Sequence, residues 1–153
     1  MPDDVRSSMT ATPVQTAATA VAVVFLAVGV MGFIPGITTD FSEIQFASHE
    51  SEAMLLGIFQ VSVLHNIVHL LFGLVGLFMG RSYAGARNFL IWGGAVYAVL
   101  WLYGLFVDED STANFVPMNA ADDWLHLVLA IGMVSLGVLL GRTPRRAPGA
   151  GQD

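Results

Sequence analysis

A chain of 153 residues that is 55% hydrophobic, 12% charged and of formal net charge -6 fits one domain with a lipid-solvated exterior; a soluble domain of this size carries more polar surface. It has no cysteine, which excludes disulfides, thiolate metal sites, iron–sulfur clusters and thiol–disulfide chemistry. It also lacks lysine and any long basic tract, which argues against nucleic acid as a partner.

Four apolar segments follow in chain order, each near the roughly 20 residues that cross a hydrocarbon core as a helix. They run over about 17–34, 61–80, 86–107 and 123–141. Helices satisfy their own backbone in lipid, and none of these runs alternates in polarity as barrel strands do. The expected fold is therefore all-α: an integral membrane four-helix bundle over residues 16–141, with cytoplasmic tails at 1–15 and 142–153. The first segment reads as a retained helix, because Asp3 and Asp4 precede it and "GFIPGITTDF" follows it in place of a cleavage site. The run "AMLLGIFQ" in the 35–60 loop is too short to span; it reads either as an interfacial segment or as an early extension of helix 2. The tail "TPRRAPGAGQD" reads as a short disordered end.

Charge sets the orientation. Arg6, Arg81, Arg87, Arg142, Arg145 and Arg146 flank one end of the helices, while Asp40, Glu43, Glu50, Glu52, Asp108, Glu109 and Asp110 lie in the other two loops. The positive-inside rule then gives a multi-pass protein of the cytoplasmic (inner) membrane, N-in and C-in. Trp101, Tyr103 and Trp124 near the outer side and Tyr83 near the inner side read as interface anchors, and the scattered methionines as packing.

Helices 2 and 4 resemble each other. Laying "HNIVHLLFGLVGLFMGR" on "DDWLHLVLAIGMVSLGVLLGR" matches His65 with Asp122, Asn66 with Asp123 and His69 with His126. The two run parallel, so the bundle reads as a duplicated helical hairpin with a pseudo-two-fold along the membrane normal. Helical spacing from His69 reaches Gly73, Gly76 and Gly80, and from His126 it reaches Ala130, Met133 and Gly137. Helix 1 offers Ala22, Gly29, Gly32 and Gly36. Such small-residue stripes mark helix contacts in lipid. They direct His65, His69, Asp122 and His126 into the outer half of the bundle.

The pieces "HNIVHL" and "ADDWLHL", with "GFIPGI" after helix 1, resemble the bacterial membrane family catalogued as domain of unknown function 4383 over roughly residues 15–142. The resemblance implies a four-helix membrane protein without an assigned activity. Asp123 stands where that family more often has asparagine.

Three chemical readings of the polar residues follow. His65, His69, His126 and Asp122 could supply three nitrogens and one oxygen to a metal ion. His69 and His126 could be the axial ligands of a haem. Otherwise the group, with Asn66 and Asp123, is a hydrogen-bonded polar layer that holds the helices, or the seat of a small polar ligand. Too few inward carboxylates exist for a di-iron site, and no ionisable group lies at mid-membrane for proton-coupled transport. The expected function is a non-enzymatic structural or accessory membrane subunit, associated with lipid and with itself or a larger complex. The alternative is a metal- or haem-binding redox membrane protein.

Overall fold

Polar caps decide where the helices begin. A computed structural model describes residues 11–142. Thr12, Ser62, Ser82 and Asn119 precede α1 (Pro13–Met31), α2 (Val63–Met79), α3 (Tyr83–Phe106) and α4 (Ala120–Leu139). The side chains of Ser62, Ser82 and Asn119 accept hydrogen bonds from the first-turn N–H groups that have no partner within their helix. Hydropathy alone begins α1, α3 and α4 three or four residues late, because a helix starts at its cap and not at its first apolar residue. Arg6, Arg145 and Arg146, the expected N-terminal tail before residue 11 and the expected disordered C-terminal end fall outside the described residues.

The chain is mostly helical. α1, α3 and α4 are long and apolar enough to cross a membrane, and α2 is a shorter apolar helix of 17 residues. All four expose large apolar side chains along their outer faces. Val24 in α1, Leu71 and Phe78 in α2, Trp92 in α3 and Ile131 in α4 are each more than half exposed. Water would not solvate such a belt well, and lipid does.

α1 packs along α2 and α3 along α4; the two pairs meet mainly where α1 crosses α3. Small residues permit the close approach. An added Cβ at Gly73 would lie 2.8 Å from the Ala22 carbonyl oxygen, and one at Gly80 would lie 3.1 Å from Thr19 Oγ1. In the other pair, a Cβ at Gly94 would lie 3.0 Å from the Ala130 carbonyl oxygen, and one at Gly137 would lie 2.7 Å from Ile91. Further up, Gly32 lies under the Asn66 amide and Gly104 under the Asp123 carboxylate, so that any Cβ would collide with them. Gly36 is not part of the contact stripe; it sits at φ 92° in the turn after α1, with open space where a Cβ would project.

The loop between α1 and α2 is ordered by a small antiparallel sheet. β1 (Thr38–Thr39) pairs with β2 (Met54–Leu55), which pairs with β3 (Phe59–Gln60), and a single 3₁₀ turn covers Phe41–Glu43. The run "AMLLGIFQ" is thus a β-hairpin and not an early extension of α2. Its turn places Leu56 at φ 54° and Gly57 at φ 69°. A left-handed leucine is uncommon, and here it leaves its side chain 57% exposed.

Gly73 meets backbone on α1, which cannot swing aside. Gly73→Leu should therefore destabilise the fold by about 1–3 kcal/mol. Val75→Leu, on the exposed face two residues away, should change it by less than about 0.5 kcal/mol. Equilibrium unfolding of the detergent-solubilised protein measures both, and equal losses would overturn the face assignment.

Candidate functional site

At the end of the bundle that carries the two long loops, polar side chains are buried in two layers. In the upper layer, Asp122 and His65 are bonded to loop backbone. Asp122 Oδ2 accepts from the N–H of Gln60 in β3 at 3.0 Å and from the N–H of Asn119 at 3.1 Å. Asn119 in turn caps α4 with its Oδ1, accepting from the Ala121 and Asp122 N–H groups, and its Nδ2 donates to the Ile58 carbonyl at 2.9 Å. His65 Nδ1 lies 3.2 Å from the Pro117 carbonyl oxygen. A carbonyl only accepts, so Nδ1 carries the proton and Nε2 presents its lone pair. α4 is thereby tied to the α1–α2 loop, and α2 to the α3–α4 loop.

One turn deeper the pattern changes. His69 and His126 each stand six residues past the first residue of their helices, about 9 Å down the axis. Both are buried, and Nδ1 of each has no hydrogen-bond partner. His69 stacks on Phe25 at 5.7 Å between ring centroids, and His126 tilts against Tyr97 at 5.2 Å. Phe25 and Tyr97 stack on each other at 5.4 Å where α1 crosses α3. The His65 and His69 rings lie 4.6 Å apart.

These imidazoles line a cavity of about 280 Å³, with His65, Tyr97 and Tyr103 among otherwise apolar side chains under the 115–118 segment. A second cavity of about 80 Å³ lies on the other side of His65 and His69, walled by Val28, Met31, Asp122, Leu125 and the β2–β3 hairpin.

His65, His69 and His126 therefore line the larger space, and His65 and His69 line the smaller one together with Asp122. Asn66 and Asp123 stand apart from both. They point at α1 and α3 respectively, over Gly32 and Gly104, and both amide atoms of Asn66 and Oδ1 of Asp123 have no partner. Among the described residues no three His, Cys, Asp or Glu side chains come together as a group that could hold a metal ion. Asp122 Oδ2 is already engaged by two backbone N–H groups. Sequence reasoning missed Tyr97, Gln60 and Pro117. Tyr97 carries a signal, since it lies four residues from Gly93 on the buried stripe of α3. Gln60 and Pro117 act through their backbone and carry none. Tyr103, expected as an interface anchor, donates its hydroxyl to the Ala113 carbonyl and holds the α3–α4 loop.

The family described as Domain of unknown function (DUF4383) matches residues 15–139 of this chain. No curated protein and no solved structure matches it.

Asp122→Ala would strand the N–H groups of Gln60 and Asn119 in the buried layer. It should cost about 1–3 kcal/mol for each donor left unpaired. Asp122→Asn keeps an acceptor oxygen and should lose distinctly less. Thermal unfolding of the two variants side by side checks the order.

Proposed function

We propose that this chain, which belongs to that family, is a non-enzymatic structural or accessory protein of the cytoplasmic membrane. In this reading its four helices cross the bilayer as two like hairpins related by a pseudo-two-fold along the membrane normal. The observation that carries it is where the upper polar layer directs its hydrogen bonds. His65 of the first hairpin binds the backbone of the second hairpin's loop, and Asp122 of the second binds the backbone of the first's. The side chains thus serve as a clasp between hairpins and not as free reactive groups.

Paired contacts support the duplication. A shift of 72 residues carries α1 positions onto α3 (22 to 94), and a shift of 57 carries α2 positions onto α4 (73 to 130). Under these shifts the contact of Thr19 with Gly80 becomes that of Ile91 with Gly137, and Ala22 with Gly73 becomes Gly94 with Ala130. Phe25 on His69 becomes Tyr97 on His126, and Gly32 under Asn66 becomes Gly104 under Asp123. The clasp itself obeys the second shift, since Gln60 maps to Pro117 and His65 to Asp122.

A second reading draws on the bare Nδ1 atoms of His69 and His126: a haem held between α2 and α4, with His65 nearby. Ligating histidines ordinarily donate their other ring nitrogen to an orienting partner. Neither has a protein partner for Nδ1 among the described residues, so the clasp is the better-supported reading. Metal analysis and a visible spectrum of untagged protein separate the two, with a colourless, metal-free preparation expected.

Orientation follows from the arginines beside the α2–α3 link and after α4, opposite the acidic loops. In this cysteine-free chain, Ser42→Cys and Thr112→Cys, both exposed in the acidic loops, should label with an impermeant maleimide on intact cells. Ala84→Cys, at the start of α3, should label only after permeabilisation. The reverse pattern would refute the N-in, C-in arrangement.

A further inference from the structure

The larger cavity lies between α2 and α3, under the 115–118 segment and against His126 of α4. Along α3 it extends from Tyr97 to Tyr103, about 9 Å. Its mouth is lateral. Val68 of α2, Val99 of α3 and Phe115 of the roof line it and are 44%, 63% and 57% exposed, so the opening lies among apolar side chains on the outside of the bundle. The wall is almost wholly apolar. The Nδ1 atoms of His69 and His126 are sealed beneath their neighbours, His65 Nδ1 is engaged by the Pro117 carbonyl, and the Tyr103 hydroxyl is engaged by the Ala113 carbonyl. A polar group entering here would lose its hydration and gain little in return.

We infer that this cavity seats one acyl chain of a bilayer lipid, inserted sideways between α2 and α3 while the head group stays at the membrane surface. The space of about 280 Å³ is nearly twice the roughly 150 Å³ that takes a benzene ring, so it has room for on the order of ten chain carbons. Water does not fill an apolar cavity of this kind. Left empty, the cavity would forfeit dispersion contacts over its whole wall. Hydrocarbon is the medium at its mouth, and a single chain is narrow and flexible enough to enter. A partner helix, roughly 10 Å across with its side chains, could cover the mouth and still not reach Tyr97 and Met118 at the inner wall. The smaller cavity, about 80 Å³, falls below even the benzene volume.

A chain seated there serves as a piece of the core. It touches α2, α3, α4 and the α3–α4 loop at once, so it joins the two hairpins on the side where His65 also holds the loop. Only the folded bundle offers this seat, so the bound lipid adds to stability by mass action.

The inference rests on the membrane placement proposed above and not on the orientation. The probe is a phosphatidylcholine with a diazirine near the end of one acyl chain, mixed at low fraction into phosphatidylcholine nanodiscs that hold the full chain. Adducts are mapped by peptide mass spectrometry. Tyr97 and Met118 are buried, so adducts there report a chain inside the cavity, while adducts at the exposed Trp92 and Ile131 report ordinary bilayer contact. Both sets should form. Val68→Phe and Leu100→Phe fill the space from its α2 and α3 walls. Each should remove the adducts at Tyr97 and Met118, spare those at Trp92 and Ile131, and leave the melting temperature no lower. Val75→Phe, on the exposed face of α2, should change neither set. Adducts confined to Trp92 and Ile131 in the unmodified protein would overturn the inference, whether or not the filled variants fold. Adducts at Tyr97 and Met118 that survive both fillers would overturn it as well. So would their loss when native membrane vesicles replace nanodiscs, since a second polypeptide would then cover the mouth. Absence of label at all four residues would refute the membrane placement too. Every other failure leaves the cysteine-labelling pattern untouched, so the two readings fail separately.

Discussion

The structure depends on a reciprocal exchange of hydrogen bonds at the loop end. Gln60 offers an N–H, and the residue that reaches it is a carboxylate, Asp122. Pro117, at the matching place in the other loop, has no N–H and can offer only its carbonyl, and the residue that reaches it is a donor, the protonated Nδ1 of His65. The donor at the head of α2 and the acceptor at the head of α4 thus each suit the backbone group they meet. Each bond fixes the loop of one helix pair on a helix of the other, and both lie where unpaired groups would be expensive. The β2–β3 hairpin and the 115–118 segment are held over the bundle by these contacts and by the Asn119 amide on Ile58.

Below the clasp, association relies on fit. Between apolar helices in lipid there is no hydrophobic drive, and close backbone approach takes its place. Ala22 and Gly73 supply it in one pair, Gly94 and Ala130 in the other. The stacked rings of Phe25 and Tyr97 join the pairs, and each ring carries a histidine on its far side. Val28 and Met31 line the smaller cavity beside the β2–β3 hairpin, and Leu100 and Tyr103 line the larger one under the 115–118 segment.

The buried faces of α2 and α4 were legible in the sequence. His69, Gly73, Gly76 and Gly80 on one helix and His126, Ala130, Met133 and Gly137 on the other follow helical spacing, and all are buried. Small residues at that spacing have few uses in a membrane helix other than contact. The likeness of α1 to α3 was not legible, because the matched residues share position and not chemistry, as Thr19 and Ile91 do. The hairpin at Met54–Gln60 was hidden by an apolar run that mimics a helix start and by a left-handed leucine that propensity argues against. The partners of His65 and Asp122 were invisible for a different reason. Both are main-chain atoms, and no side-chain pattern reports them.

Asn66 over Gly32 and Asp123 over Gly104 have a mechanical consequence. Helices greased by alkyl chains on both sides can slip lengthwise past one another at little energetic cost, since one apolar rung resembles the next. A polar group lodged in a notch where a neighbour lacks a side chain restricts that freedom. Sliding α4 by one turn along α3 would drive the Asp123 carboxylate into a residue that carries a Cβ, Leu100 or Trp101 on one side and Val107 or Asp108 on the other. That pair of helices is thereby indexed at one height, like a detent on a shaft, and the two loops arrive at the same level to interlock.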